Sequence, residues 1–416
     1  MKIFRLDNKI KHYAWGSPDW IPSLTGKQNP GAEPWAELWM GIHGEGPSEL
    51  ETTGGRITLD ALIAGNPPEY LGAETAREFG NLPFLLKFLA AAMPLSIQAH
   101  PNLEQAREGF ERENRAGLSP SDPRRNYKDP NHKPEIISAI TPFTAMAGFR
   151  NIAETRALLE TFFADSTGME IQDKLLRALE GGFRPFLTAL FGLDAAERRI
   201  LTKTAVTWGE DVNNADAPQK ALALCGRFAA IYPDDPGILA PLYLNVIELE
   251  PGQAIAIPSG MLHAYVYGFG VECMANSDNV LRGGLTPKHI DLEELLRILS
   301  FDPYLPEILK GIPCGEAAAS PGTGGWTRYS TPFREFTLYR REPQFPLKPE
   351  SAGGLFPLKD PGAAIVAITR GEAALGAGDA ELILKQGEAA FVPRRNEGAV
   401  LTVQGDCGAF AALANT

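Results

Sequence analysis

The sequence predicts a mainly β protein with two β-barrel domains, the first of which is interrupted by a helical insertion. Three observations support this fold class. Short apolar runs alternate with glycine and proline over residues 1–150, the pattern becomes helical over residues 151–231, and strand-like runs return at residues 242–249. The chain has 416 residues, of which 44% are hydrophobic and 22% charged, as in an ordinary globular protein with more than one core.

The first domain is predicted to contain residues 1–150 and 232–300. Glycine and proline at 31–34 and 65–68 punctuate its first part, which suits strands joined by loops. A further amphipathic helix is predicted over residues 289–299, where apolar residues recur at helical spacing.

The insertion, residues 151–231, is predicted to be helical from its caps. Asn151 with Glu154, and Asp194 with Glu197, have the spacing of helix N-termini. A helix over 174–180 ends at a pair of glycines, and a third helix is predicted over 218–231. Because strands flank the insertion, we expect it to split one domain.

Three candidate metal ligands precede the insertion. Apolar and polar residues mix over 94–100 as in a half-buried strand, and the i, i+2 spacing puts Gln98 and His100 on one face. Glu135 follows a polar turn bracketed by Pro130 and Pro134, so it is expected where a loop enters a strand.

A fourth candidate, His263, ends a run of defined spacing: Gly252, five residues, Pro258, one residue, Gly260, two residues, His263. Glycine permits the turns and proline suits a strand edge. This is the spacing of the second motif of cupin β-barrels, whose first motif normally supplies two histidines and a glutamate. Here Gln98 replaces the first of those histidines. Each residue alone is more often an ordinary polar side chain, but together they indicate one metal site.

Two imidazoles, one carboxylate and one amide oxygen suit a borderline divalent ion. Zinc is the first choice, and manganese, iron or cobalt are alternatives. We expect one ion per chain, because the tail contains no comparable set.

With these motifs the chain resembles the type I mannose-6-phosphate isomerases, also called phosphomannose isomerases. The resemblance is dense over residues 11–150 and 240–300. It implies two cupin-like (jelly-roll) barrels and a metal-dependent aldose–ketose isomerase that interconverts D-mannose 6-phosphate and D-fructose 6-phosphate through an enediol or enediolate. The stretches that carry it are YAWG (13–16), AELWMG (36–41), QAHP (98–101), YKDPNHKPE (127–135) and MANSDNVLRGGLTPK (274–288).

The resemblance also suggests catalytic residues. Arg282, beside two glycines, resembles the family's active-site arginine, and a guanidinium can fork onto an enediolate or a phosphate. Glu272 is the candidate proton carrier, or else a partner that orients Arg282 or a metal histidine. Lys133, two residues before Glu135, is a candidate acid–base or phosphate-binding group.

Ser96 and Lys288 are weaker candidates for contacts with the sugar and the phosphate, and His132 is assigned a structural role. The rival functions are another cupin enzyme, such as an iron-dependent oxygenase or an isomerase of glucose 6-phosphate, and a non-catalytic sugar-binding or storage cupin. A storage protein would not need an intact ligand set, and an oxygenase would not need the run that ends at Lys288.

After a predicted linker over residues 301–330, the tail from 331 to 416 is again β-rich. Gly387 and Pro393 repeat the offset between Gly252 and Pro258, but Gly398 stands where His263 would fall, and no histidine follows His289. Because the resembled family ends with a second cupin-like domain, the tail is predicted to be a degenerate cupin-like domain without metal, in which carboxylates such as Glu388 and Glu397 remain.

The formal net charge of −12 argues against nucleic acid as a partner, and it requires a local cationic pocket for an anionic sugar phosphate. Four scattered cysteines suggest reduced thiols in a cytoplasmic protein. The first residues lack a signal-peptide core, and no apolar run reaches the ~18 residues of a membrane span. We expect a monomer or a weak homo-oligomer.

Overall fold

The computed structural model describes residues 2–164, 167–209, 216–314, 325–342, 354–356, 362–377, 380–394, 401–404 and 407–415. Helices account for 32% and strands for 31% of the structure, so the prediction of a mainly β chain is corrected to a mixed fold. Over the described residues the sheets are open at both edges, and none closes into a barrel. No helix in these ranges is long and apolar enough to cross a membrane.

Twenty-three strands are described. In chain order they are β1 (Phe4–Leu6), β2 (Lys9–Lys11), β3 (Glu37–Met40), β4 (Glu49–Thr52), β5 (Gly55–Thr58), β6 (Phe84–Ala91), β7 (Gln98–Ala99), β8 (Glu135–Ala139), β9 (Phe143–Phe149), β10 (Leu244–Leu249), β11 (Ala254–Ile257), β12 (His263–Ala275), β13 (Leu281–Arg282), β14 (Ile312–Cys314), β15 (Trp326–Arg328), β16 (Phe336–Arg341), β17 (Gly354–Phe356), β18 (Ala364–Arg370), β19 (Glu372–Ala377), β20 (Ala380–Lys385), β21 (Ala389–Val392), β22 (Leu401–Gln404) and β23 (Gly408–Ala414).

Twelve α-helices and one 3₁₀ helix, Pro236–Leu239, are described between them. The α-helices are α1 (Trp20–Thr25), α2 (Leu59–Gly65), α3 (Pro67–Leu71), α4 (Ala73–Phe79), α5 (Leu103–Arg115), α6 (Ile152–Phe163), α7 (Met169–Leu179), α8 (Phe183–Phe191), α9 (Ala195–Thr207), α10 (Ala217–Ile231), α11 (Ala240–Tyr243) and α12 (Leu292–Ile298).

Five helices lie in the first 150 residues, where only strands and loops were expected. Pro67 and Pro68, which looked like loop punctuation, occupy the first turn of α3, a position that tolerates proline because its N–H would be unpaired. Asn102 and Gln105 form a reciprocal capping box at the start of α5. Local helix capping therefore produces helices in a part of the chain where the glycine and proline content predicts strands and loops.

The predicted helices of the insertion are present. Asn151 caps α6 through the N–H of Ala153, and Asp194 caps α9 in a capping box with Glu197. The strands on either side of the insertion, β9 and β10, pair antiparallel from Leu244 opposite Phe149. The chain therefore leaves this sheet after β9, forms helices α6 to α11, and returns to the sheet in the neighbouring strand β10. This arrangement suits the predicted insertion.

The long strand β12 organises the sheet that carries the candidate site. Its first residues pair with β7 and β9, and its remainder pairs with β6 and β8. Gly268 lies at the change of partner with φ +132°, a conformation that L side chains rarely adopt. One strand thus joins two sets of partners.

The helical segment packs on one side of the short strand β7. Ile97 and Ala99 belong to the same buried cluster as Phe162, Leu175 and Leu190 of the helices. Because side chains alternate along a strand, Gln98 and His100 point to the opposite side. The insertion therefore covers the apolar back of the candidate site.

The tail forms strands from β16 onward, and its main sheet also contains β1 from the other end of the chain and β14 and β15 from the predicted linker. Gly387 has φ +81° and precedes β21, which ends just before Pro393, as Gly252 with φ +90° precedes β11, which ends just before Pro258. The two segments share this turn–strand–proline arrangement. Residues 315–324 of the predicted linker, and Glu397 and Gly398, lie outside the described residues.

Candidate metal centre and catalytic site

The register of β7 with β12 and β13 brings candidate residues together. Gln98 lies directly opposite His263 on β12 and directly opposite Arg282 on β13. Directly paired residues of neighbouring strands project to the same face of a sheet. Gln98 is half-buried, and with His100 two positions later it shares the face of His263.

Glu135 begins β8, as expected from its place after the polar turn. Its Oε1 lies 3.3 Å from Nε2 of His100, and its Oε2 lies 3.4 Å from Nε2 of His263. All three residues are buried, with at most 1% of their surface exposed. One carboxylate therefore faces two imidazoles in a dry interior.

Each histidine is oriented by a backbone carbonyl. Nδ1 of His100 donates to the carbonyl of Asn279 at 2.7 Å, and Nδ1 of His263 donates to the carbonyl of Met261 at 3.0 Å. Since Nδ1 holds the proton in each ring, Nε2 presents its lone pair. Both Nε2 atoms are inaccessible and make no hydrogen bond within the described residues, whereas Oε1 of Glu135, also inaccessible, forms an ion pair with Nζ of Lys133 at 2.9 Å.

The charge states suit a cation. Burial lowers the pKa of His100 to about 4, so its ring is neutral near neutral pH. Burial acts to raise the pKa of Glu135, but the charge of Lys133 and the contacts with His100 and His263 outweigh it, so that this pKa lies well below its usual value. Imidazole nitrogens and a carboxylate are ligands that a divalent metal prefers.

The donor atoms of His100, Glu135 and His263 all lie within 4.8 Å of one another. Burying nitrogen or oxygen atoms whose lone pairs have no partner costs free energy. A metal ion would supply that partner, so the residues present fit a metal ion. Within the described ranges this is the one group of three or more histidine, cysteine and acidic side chains with that geometry.

Lys133 is brought to the same cluster. It is 8% exposed, and its Nζ lies 2.9 Å from Oε1 of Glu135. An extended segment places side chains two residues apart on one face, which is the relationship the sequence suggested for Lys133 and Glu135.

A buried ion pair lies beside the metal cluster. Oε2 of Glu272 accepts a hydrogen bond from Nζ of Lys87 at 2.7 Å, and the two residues are 3% and 5% exposed. Glu37 approaches the same amine at 3.7 Å and also accepts a hydrogen bond from Nε1 of Trp39. The hydroxyl of Tyr265 donates to Oε2 of Glu135 at 3.4 Å and also interacts with Glu272, so it links the two clusters.

Burial raises the pKa of Glu272, partly offset by the charge of Lys87. Burial lowers the pKa of Lys87, but Glu272 and Glu37 outweigh it, and the pKa of the amine lies above its usual value. The pair therefore combines a cationic amine with a carboxylate that protonates more readily than an exposed one.

Arg282 is half-buried, and its guanidinium makes no hydrogen bond or ion pair within the described residues. Burial lowers the pKa of Arg282. Burial also lowers the pKa of Lys288, with further contributions from the nearby charges of Arg282 and Lys128. The charges of Arg282 and Lys128 therefore act on Lys288, and the carboxylate of Glu45 partly opposes them. A local excess of positive charge of this kind suits an anion. Ser96 is half-buried, and no contact joins its side chain to the metal cluster.

Two residues of the site were missed by sequence reasoning. Lys87 is the single charged residue of the otherwise apolar strand β6, and that signal could have marked it. Asn279, fully buried, accepts at Oδ1 from the N–H groups of Lys128 and Asp129 and donates to the carbonyls of Asp129 and Asn131. Nothing in its local sequence indicates that it holds a loop about 150 residues earlier.

A buried cluster that could hold a metal ion, beside a buried lysine–glutamate pair, is an arrangement typical of metal-dependent enzymes. Residues 3–152 match the catalytic domain of phosphomannose isomerase type I. The chain is 37% identical over 392 residues to a mannose-6-phosphate isomerase of Salmonella typhimurium, spanning 93% of this chain and 94% of that protein. It is 36% identical over 405 residues to a mannose-6-phosphate isomerase of Escherichia coli, spanning 96% and 97%.

Solved structures agree with these relatives. A zinc-bound crystal structure of a mannose 6-phosphate isomerase matches with a TM-score of 0.83 and 33% identity over 100% of both chains. A phosphomannose isomerase variant from Salmonella typhimurium matches with a TM-score of 0.84 and the same identity and coverage. The chain belongs to the type I mannose-6-phosphate isomerase family.

Proposed function

We propose that this chain is a zinc-dependent isomerase that interconverts D-mannose 6-phosphate and D-fructose 6-phosphate. The observation that carries the proposal is the buried cluster of His100, Glu135 and His263, in which the Nε2 atoms of both histidines make no hydrogen bond within the described residues and face one carboxylate. The relatives of this chain bear the isomerase activity in their names. Gln98 is the proposed fourth ligand, because its register with His263 directs it to the same face.

A divalent ion held by these four residues would supply an electrophile for the oxygen on which negative charge develops. The protein itself fixes the orientation and the charge state of the ligands. The carbonyls of Asn279 and Met261 fix the two rings with Nε2 forward, and burial keeps His100 neutral.

Aldose–ketose isomerisation moves a proton between neighbouring carbons through an enediol or enediolate. We assign the carbon proton to Glu272, whose raised pKa suits a group that takes the proton from one carbon and returns it to the next. Lys87 keeps this carboxylate in place. Lys133 is the alternative acid–base group, since its amine lies against the metal carboxylate Glu135.

The phosphate is assigned to the cations around Arg282. Its guanidinium has no carboxylate partner within the described residues, and Lys288 and Lys128 add positive charge nearby. This is the local cationic region that a chain of net charge −12 needs for an anionic substrate. Arg282 itself is assigned to the enediolate, because it lies opposite Gln98, beside the proposed ligands, and the neighbouring lysines take the phosphate at the far end of the sugar. Ser96 stays the weakest of the proposed sugar contacts.

The two cupin-like domains, with the boundaries given above, are part of this proposal. The repeated turn–strand–proline arrangement at Gly252 and Gly387 supports a related architecture in the tail. The cytoplasmic location, the monomeric or weakly associated state and the absence of nucleic-acid partners stay predictions from the sequence. Membership in the isomerase family speaks against the oxygenase and storage alternatives.

A coupled assay tests the proposal. Purified protein is stripped with a chelator, and conversion of mannose 6-phosphate to fructose 6-phosphate is measured before and after zinc is returned. We expect the activity to disappear and then to be restored. Full activity in the metal-free protein, or none in the zinc-loaded protein, would contradict the proposed function.

A further inference from the structure

One contact joins the tail of the chain to the loop that precedes Glu135. Nε2 of His132 lies 2.6 Å from Oε1 of Glu335, a residue 203 positions later. Glu335 directly precedes β16, and its neighbour Phe336 is buried in the core shared with Phe84 of β6. The carboxylate is therefore held on a rigid part of the tail.

The buried carboxylate of Glu335 has the imidazole of His132 as its side-chain hydrogen-bond partner. It is 8% exposed, and its second oxygen, Oε2, is inaccessible and makes no hydrogen bond within the described residues. Burial acts to raise the pKa of Glu335, but the hydrogen bond from His132 and its charge outweigh it, and the pKa lies below its usual value. A buried carboxylate with a single strong side-chain partner constrains that partner in return.

His132 lies in a segment that is otherwise fixed at both ends. Asn279 binds the backbone at Asp129 and Asn131, and the carbonyl of Pro134 accepts from the N–H of Ala275. Between these anchors, His132 is held by its side-chain contact with the tail. Glu335 therefore supplies the middle anchor of the segment 129–134.

Side chains of neighbouring residues in an extended segment point to opposite sides. His132 points to the tail, whereas Lys133 points to Glu135 with Nζ 2.9 Å from Oε1. Pro134 restricts the backbone of Lys133 to extended conformations. A change in the backbone torsion angles at His132 would therefore also displace the amine of Lys133.

We infer that Glu335 is a positioning residue, which acts through His132 to fix the segment 129–134 and the amine of Lys133 at the metal cluster. The tail, which lacks histidine, thus contributes to the site by orienting a loop of the first domain. In its effect on turnover this inference rests on the proposed isomerase function.

The test uses the zinc-loaded full chain and the substitutions Glu335→Gln and His132→Gln, alone and together. Glu335→Gln keeps the shape but loses the charge, so kcat should fall about tenfold while KM stays within about twofold, the pattern of a misplaced group rather than a lost binding contact. In the His132→Gln background the same substitution should have no further effect on kcat. Zinc content by elemental analysis should stay that of the parent.

Tyr329→Phe is the matched control. Tyr329 precedes the tail and pairs with it through Leu338, and its hydroxyl contacts Ser138 and the carbonyl of Gly252 but not the segment 129–134. It should lower Tm and leave kcat within about twofold. Unchanged kcat in Glu335→Gln, equal effects of that substitution in both backgrounds, or an equal loss in Tyr329→Phe would each overturn the inference.

Hydrogen exchange separates this inference from the proposed function. Exchange of the amides in the segment 129–134 should accelerate in Glu335→Gln. If the parent protein converts no mannose 6-phosphate, the proposed function fails, and the positioning role is judged by exchange alone: unchanged protection of the segment would then overturn it.

Discussion

Lys87 and Glu272 lie directly opposite each other on β6 and β12, and Nζ of the lysine is 2.7 Å from Oε2 of the glutamate. Glu37 lies 3.7 Å from the same amine, so one buried cation is shared by two carboxylates. Removing the cation leaves both acids without compensation in a dry environment, which costs more than the ion pair itself contributes.

Lys87→Met is therefore expected to destabilise the fold by about 3–5 kcal/mol, the range for breaking a buried ion pair, and to abolish activity. Combining it with Glu272→Met should recover part of the stability without restoring turnover. The measurement is the free energy of unfolding in urea together with kcat. A single variant as stable as the parent would contradict the arrangement of charges described here.

Arg282→Lys keeps the positive charge and loses the planar fork. We expect kcat to fall by roughly 10²–10³ at saturating substrate, the scale for losing one preorganised donor. Because the Arg282 guanidinium has no protein partner within the described residues, Tm should hardly change. A turnover number equal to that of the parent would remove Arg282 from the mechanism.

The side chain of Asn279 binds the backbone at Lys128, Asp129 and Asn131, and its own backbone carbonyl orients His100. Asn279→Ala removes these side-chain hydrogen bonds. Loss of such outer support typically weakens metal affinity about 10–100-fold. Competition with a chromogenic chelator measures the affinity for zinc. Asn151→Ala, which removes the cap of a distant helix, should cost about 1 kcal/mol and leave zinc affinity unchanged, and equal affinities in the two variants would refute the role of Asn279.

The metal-free protein should lose stability on acidification through the range in which His100 titrates. Burial lowers the pKa of His100 from 6.5 to about 4, so between these values the unfolded chain binds a proton that the folded chain does not. The free energy of unfolding therefore falls as the pH decreases through this window. Above pH 6.5 His100 is neutral in both states, so it no longer lowers the stability of the folded protein.

Urea unfolding of chelator-treated protein between about pH 7 and pH 5 measures this slope. His100→Gln cannot bind the proton and should show a flatter dependence. If the two slopes are the same, His100 is not held neutral by its surroundings.

The parts of the site that lie in continuous motifs could be predicted from the sequence. Spacing alone indicated that Gln98 and His100 share a face and that Gly260, with φ +79°, turns the chain before His263. These features depend on neighbours along the chain, where strand periodicity and glycine chemistry act directly.

Contacts between distant segments could not be predicted in this way. The pairing of Lys87 with Glu272 and of His132 with Glu335 depends on strand register and on tail packing, which local patterns do not encode. The helices of the first 150 residues differ, because their caps are local: Pro67 and Pro68 resemble a loop signal in the sequence, but they occupy the start of a helix.

The most direct test of the central claim is the zinc content of the parent and of His263→Ala, measured by elemental analysis alongside activity. One zinc ion per chain is expected in the parent, and the variant should hold no zinc and show no turnover while it keeps its fold. Glu388 in the tail is engaged by Arg5 and by the N–H of Lys385, which leaves it unsuited to a second site. Full zinc occupancy in His263→Ala, or a second tightly held ion that survives the substitution, would contradict it.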